Sequence, residues 1–128
     1  MKNIPITKPF FNKEEIKAVE ETIVSGWLVQ GRKVKEFENL ICKFTLAKFA
    51  AATTSCTTAL HLALIACNVK AGDEVILPAL TFIASANSVE YIGAKPVFVD
   101  IDLKTFNIDP DKIEKKITKK TKAIMPVH

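Results

Sequence analysis

With 128 residues, 48% of them hydrophobic and 25% charged, the chain has the length of one ordinary domain and the composition of a soluble globular protein, which excludes disorder as the starting expectation. Its net charge of +4 gathers near the end, in Lys112, Lys115, Lys116, Lys119, Lys120 and Lys122; no aromatic residue lies among them to stack a base, so a solvated helix face is expected and nucleic acid is not. Met1 to Phe11 holds two prolines and no apolar run of signal-peptide length, and no stretch approaches the ~20 apolar residues of a membrane span. A cytoplasmic location without membrane contact is therefore expected. The three cysteines, Cys42, Cys56 and Cys67, form no CxxC pair, so their spacing suggests neither a disulfide framework nor a zinc site, and reduced thiols are expected.

Along the chain, Asn12 followed by Glu15 reads as a capping-box helix start, and Ile16, Val19 and Ile23 then share one helix face up to Ser25-Gly26. Val34, Phe37, Ile41 and Phe44 repeat at spacings of three and four, which predicts a second amphipathic helix from about Arg32 to Leu46. From Phe49 onward short apolar strands alternate with helical stretches, the pattern of βαβ units and a mainly parallel sheet, so the fold class is α/β with flanking helices. Strands are predicted at Phe49–Thr53, Glu74–Leu77, Pro96–Val99 and Lys122–Val127, and helices at Thr57–Cys67, Ile83–Tyr91 and Pro110–Ile117. The punctuation agrees: Ala71-Gly72-Asp73 is a turn, Gly93 suits a helix end, and Asp109-Pro110 gives an N-cap with proline at the first helical position. No repeat or linker interrupts the sequence, so one structural unit is expected.

The run Thr53-Thr54-Ser55-Cys56-Thr57-Thr58 places small hydroxyl residues between a predicted strand and an apolar helix. Unpaired N–H groups at a helix N-terminus, the helix dipole and adjacent hydroxyls together form an anion site. Serine and threonine are also favoured as N-caps, and spacing alone leaves both readings open.

Here the chain resembles the DegT/DnrJ family of sugar aminotransferases. Ser55-Cys56-Thr57-Thr58-Ala59-Leu60-His61-Leu62-Ala63-Leu64 is similar to that family's SGTAALHLAL segment, and Ser25-Gly26-Trp27-Leu28 with Gly31 and Phe37-Glu38 to its opening pattern. Further matches follow in order: Gly72-Asp73-Glu74-Val75-Ile76 with Pro78; Thr81-Phe82 with Ala84 and Ala86-Asn87; Gly93 to Asp100; Asn107 to Pro110; and Thr121 to Ile124 with Pro126-Val127-His128. The resemblance spans almost the whole chain. It implies the N-terminal part, over residues 1–128, of the large domain of a type I pyridoxal-phosphate enzyme, working as a homodimer. The first strand of that fold pairs with strands that arise later, so the isolated chain is expected to be marginally stable or to associate.

By the same resemblance the cofactor is pyridoxal 5'-phosphate, with its phosphate on Ser55, Cys56, Thr57 and Thr58 and its ring stacked on Phe82, a position that otherwise reads as a core phenylalanine. Trp27 and Gln30 match a region near the family's active-site entrance and are candidate substrate contacts. The implied activity transfers an amino group, commonly from glutamate, to a nucleotide-linked keto-sugar in cell-surface polysaccharide or amino-sugar biosynthesis.

One departure stands out, because the family usually has glycine where this chain has Cys56. A cysteine there crowds the anion, and a thiol at a helix N-terminus is also a candidate for reactivity. Cys42 and Cys67 are expected as small core residues, and His61 as a hydrogen-bonded core histidine. Asp100 and Asp102 read as turn residues rather than a metal or acid-base pair. The lysine that holds the cofactor and the carboxylate on its ring nitrogen match positions downstream of His128, so no catalytic residue is assigned here and the isolated chain is expected to be inactive. The competing readings are a non-catalytic truncated member that keeps the phosphate site, and a basic module that binds a polyanion. Another α/β phosphate binder is disfavoured by the lack of a GxGxxG or Walker pattern.

Overall fold

The computed structural model describes residues 4–5 and 7–128. Where the uninterrupted sequence reads as one unit, the contacts divide it into two, Met1–Ala52 and Thr53–His128. The physical reason is the location of the core: among the described residues, the buried apolar side chains all lie between Leu64 and Val99.

The first unit consists of helices α1 (Lys13–Val24) and α2 (Arg32–Thr45). The Asn12 side chain accepts the Glu14 N–H at 2.6 Å while Glu15 Oε2 accepts the Asn12 N–H at 2.7 Å, so the predicted capping box is formed. Gly26, at φ +70, turns the chain out of α1, a left-handed step that glycine takes without steric cost. Neither helix has a buried residue. Glu38 Oε1 accepts the Ala52 N–H at 3.0 Å, tying the end of this unit back to α2.

The second unit runs through α3 (Cys56–Ala66), β1 (Glu74–Pro78), α4 (Ala84–Glu90), β2 (Lys95–Val99), α5 (Pro110–Ile113), a 3-10 turn (Glu114–Lys116) and β3 (Thr121–Ile124). The strands form a parallel sheet of order β2-β1-β3, with Glu74 paired to Lys95 on one side and to Thr121 on the other. Val75, Ile76, Leu77 and Pro78 are all buried, as expected for a central parallel strand covered on both faces. Pro96 falls on β2, an edge strand, where its missing N–H breaks no ladder.

Leu64, Val69, Val75, Val89 and Ala94 form the core, with Ile92, Ala123 and Met125 packed against it. Each full burial of a valine or leucine side chain contributes about 1.5–3 kcal/mol. Two helix ends feed this core directly. After α3, Asn68 takes φ +58 and donates to Ile65 O while Val69 donates to Leu64 O at 3.1 Å; after α4, Gly93 donates to Glu90 O and Ala94 to Val89 O at 3.3 Å. Both are Schellman closures, and in each the hydrophobic pair they bring together, Leu64–Val69 and Val89–Ala94, belongs to the core cluster. The predicted turn before β1 is also formed: Gly72 has φ +85, and Asp73 Oδ2 accepts the Lys70 N–H at 2.8 Å.

Five expectations need correction. Phe49–Thr53 forms no strand; no ladder partner for it exists among the described residues, and extended backbone becomes a strand only when paired. The helix predicted for Pro110–Ile117 stops as α-helix at Ile113 and finishes as the 3-10 turn, and the last strand ends at Ile124 rather than Val127. Cys67 is exposed because α3 ends at Ala66 and leaves it at the C-cap, while Cys42 is partly buried. His61 is partly buried but packs edge-on to the Tyr91 ring, centroids 5.8 Å apart, and its side chain has no hydrogen bond among the described residues.

Candidate functional site

The hydroxyl run folds into the start of α3. Ser55, extended at φ −161 and ψ 162, is the N-cap, and its Oγ accepts the Thr58 N–H at 3.2 Å. The hydroxyls of Ser55 and Thr58 lie 3.0 Å apart and those of Thr54 and Thr58 3.3 Å apart, while Thr53 Oγ1 donates to Ser55 O at 3.0 Å. The N-cap reading is formed, and it leaves other donors of the segment unused. Ser55 and Thr58 make the cap, and the N–H groups of Cys56 and Thr57, with the Thr57 hydroxyl, have no partner among the described residues. These three donors, at the positive end of an eleven-residue helix, suit a phosphate dianion. Cys56 is exposed at the first helical position, so its side chain is not packed into the protein.

Phe82 follows β1 in the turn into α4, where its carbonyl accepts the Ser85 N–H at 3.0 Å and the Thr81 and Ser85 hydroxyls meet at 2.7 Å. The ring is 77% exposed, which rules out a core role within this unit and leaves its face free. The start of α3 and Phe82, which follows the carboxyl end of β1, both belong to the second unit. Ser55, Cys56, Thr57 and Thr58 are thus brought together on one helix end, and Phe82 lies at the carboxyl end of the strand that follows.

Trp27 and Gln30 belong to the first unit, in the loop between α1 and α2. The Trp27 indole Nε1 donates to the main-chain carbonyl of Gln30 at 3.2 Å, and the ring is 62% exposed. Sequence reasoning placed Gly31 in the opening pattern but missed its contact with Trp27. A Cβ built on Gly31 would overlap Trp27 Nε1 and stand 2.6 Å from Cδ1, so the absence of a side chain seats the indole. The available signal was a glycine at a helix start four residues after the chain's single tryptophan.

A cavity of about 410 Å³ opens at the carboxyl ends of β1 and β2, lined by Ala79, Leu80, Asp100, Ile101, Leu103 and Lys112. It contains none of the residues expected to hold the cofactor or the substrate, but it includes Asp100 and Lys112. Lys112 stands 3.2 Å from Asp109 and 3.7 Å from Asp100. The hydrogen bond with Asp109 is the main reason its ammonium is held above the usual lysine range. Asp102 is a turn residue, as expected: its Oδ1 accepts the N–H groups of Lys104 at 2.7 Å and Thr105 at 3.0 Å, which hold its carboxyl below the usual carboxylate range. Among the described residues no three His, Cys, Asp or Glu side chains converge as metal ligands, and no helix is long and apolar enough to cross a membrane.

The second unit is thus a parallel α/β sheet with unused donors at a helix start and an exposed aromatic residue after its central strand. Residues 9–128 match the model of the DegT/DnrJ/EryC1/StrS aminotransferase family, and the chain belongs to that family. It is 51% identical, over 125 residues, to the spore coat polysaccharide biosynthesis protein SpsC of Bacillus subtilis, covering 98% of this chain and 32% of that protein. Among solved structures it superposes with a TM-score of 0.90 on a Streptococcus pneumoniae protein named provisionally as a sugar aminotransferase, in its PMP form. The two are 42% identical, with 98% of this chain and 32% of that chain covered. It also superposes with a TM-score of 0.89 on the Escherichia coli GDP-4-keto-6-deoxy-D-mannose-3-dehydratase with bound hydrated PLP, at 31% identity and covering 98% of this chain and 34% of the other. The chain spans about a third of the length of these relatives.

Proposed function

We propose that this chain forms the cofactor-phosphate cradle of a pyridoxal-phosphate-dependent aminotransferase acting on a nucleotide-linked keto-sugar, with glutamate as the common amino donor. The observation that carries the reading is the start of α3, where the Cys56 and Thr57 N–H groups and the Thr57 hydroxyl are free while Ser55 and Thr58 hold the cap. The group, when bound, supplies the electron sink for amino transfer. Cys56 and Thr57 would bind its phosphate through main-chain N–H groups, Ser55 and Thr58 cap the helix that carries those donors, and Phe82 would support the ring by stacking. Trp27 and Gln30 are assigned to the substrate. The complete protein works as a cytoplasmic homodimer in polysaccharide or amino-sugar biosynthesis. No lysine of this chain matches the family's cofactor-holding motif, so the chain by itself is inactive. The dehydratase chemistry of the Escherichia coli relative is the second reading; the identity of 42% to the pneumococcal protein, against 31% to the dehydratase, favours the aminotransferase.

The test is calorimetric titration of the chain with pyridoxal phosphate and with pyridoxal, followed by borohydride and intact mass. Saturable binding that requires the phosphate and weakens in Thr57→Ala, without a site-specific adduct, supports the reading. Equal binding of pyridoxal refutes the cradle, and a specific lysine adduct refutes the assignment of the chemistry to other residues.

A further inference from the structure

The Trp27 loop holds more order than an exposed aromatic needs. Gly26 turns the chain out of α1 at φ +70, the Trp27 N–H donates to Ser25 Oγ at 3.2 Å, and that hydroxyl donates to Thr22 O at 2.7 Å. The far side of the indole is fixed separately, by Nε1 on the Gln30 carbonyl and by the missing side chain of Gly31. The indole is thus held on both sides by groups of its own loop. Its single polar atom is already satisfied, so what it offers a ligand is a flat π face with no hydrogen-bond preference, the property that makes aromatic platforms tolerant of which base they stack.

We propose that Gly31 is a positioning residue, and that by lacking a Cβ it seats Trp27 as a preformed platform on which the flat base of the nucleotide-linked substrate stacks. Gln30 contributes through its carbonyl, which pins the ring, rather than through its side-chain amide. The proposal rests on the nucleotide-sugar reading for its ligand and on the loop geometry for its mechanism. Any residue with a Cβ at 31 displaces the ring, and because the atoms it meets belong to a side chain, the ring moves while the two helices stay.

Trp27 is the chain's only tryptophan, so its fluorescence reports the platform alone. In the chain as it stands, uridine monophosphate should quench that emission saturably and ribose 5-phosphate should not. Gly31→Ala should remove the rigid component of the Trp27 anisotropy and weaken uridine monophosphate binding about tenfold, the worth of one base–aromatic stack, with unchanged helix content. Measured by calorimetry in a Trp27→Ala background, Gly31→Ala should have no further effect on nucleotide binding; a merely structural glycine would still cost affinity there. The platform is refuted if uridine monophosphate leaves the emission unchanged, if ribose 5-phosphate quenches equally, or if Gly31→Ala leaves the anisotropy intact. Pyridoxal phosphate binding, followed separately by its own absorbance, tells the two failures apart: a chain that binds it but shows no nucleotide response keeps the cradle and loses the platform, and the reverse result keeps only the platform.

Discussion

Replacing Ser55 by alanine separates the two duties of the α3 start. The substitution deletes the oxygen that accepts the Thr58 N–H at 3.2 Å and stands 3.0 Å from the Thr58 hydroxyl. The backbone at 55 is extended, which alanine adopts freely, so the cap alone is lost. A lost N-cap of this type costs about 1 kcal/mol, within a span of about 0.5–2. In a unit the size of Thr53–His128, each kcal/mol moves the thermal midpoint by roughly 4–8 °C, so a fall of about 4–8 °C is expected by far-ultraviolet circular dichroism. Ser55→Gly should lose only a few tenths of a kcal/mol, because glycine is itself tolerated at that position. The freed Thr58 N–H joins those of Cys56 and Thr57, so phosphate affinity should hold while stability drops. An unchanged midpoint in Ser55→Ala, or an equal loss in Ser55→Gly, refutes the capping account.

Leu64→Ala empties the point where α3 meets the core; with Leu64 at 5% exposure the expected cost is about 2–5 kcal/mol, a large part of the roughly 4–11 kcal/mol a unit of this length holds. Urea unfolding measures it, and a change under about 1 kcal/mol would mean that α3 is not anchored there. Asp102, its folded pKa depressed chiefly by the Lys104 and Thr105 N–H groups, stabilises its turn above the ordinary carboxylate value of 3.8 and loses that stabilisation as pH falls through the lower folded value. The amide protons of Lys104 and Thr105 should therefore titrate together with a midpoint below 3.8, and in Asp102→Asn the step should vanish; a midpoint above 3.8 contradicts the turn as described.

What could be read from the sequence was whatever its neighbours along the chain determine. Asn12 and Glu15 satisfy each other within one turn, Asp109 and Pro110 start a helix locally, and the apolar run at Val75–Leu77 announces a buried strand whatever covers it. Phe49–Thr53 has strand composition too, but pairing depends on a distant partner that no local pattern encodes. The helix end at Cys67 was misplaced by one residue because the Schellman closure at Asn68 needs a left-handed non-glycine residue, which periodicity does not signal. The phosphate candidates were legible as a hydroxyl run, yet their division into cap and free donors follows from the dihedrals of Ser55 and not from its identity. Gly31 was illegible as a contact, since it matters only once the loop has folded back onto Trp27.

The order β2-β1-β3 places the earliest strand of this sheet in the middle. During synthesis from the amino end, β1 leaves the ribosome first, and β2 and then β3 each find the strand they join already made. The sheet can thus assemble outward from its oldest member as the chain emerges, each new strand covering an edge that would otherwise be open to other chains.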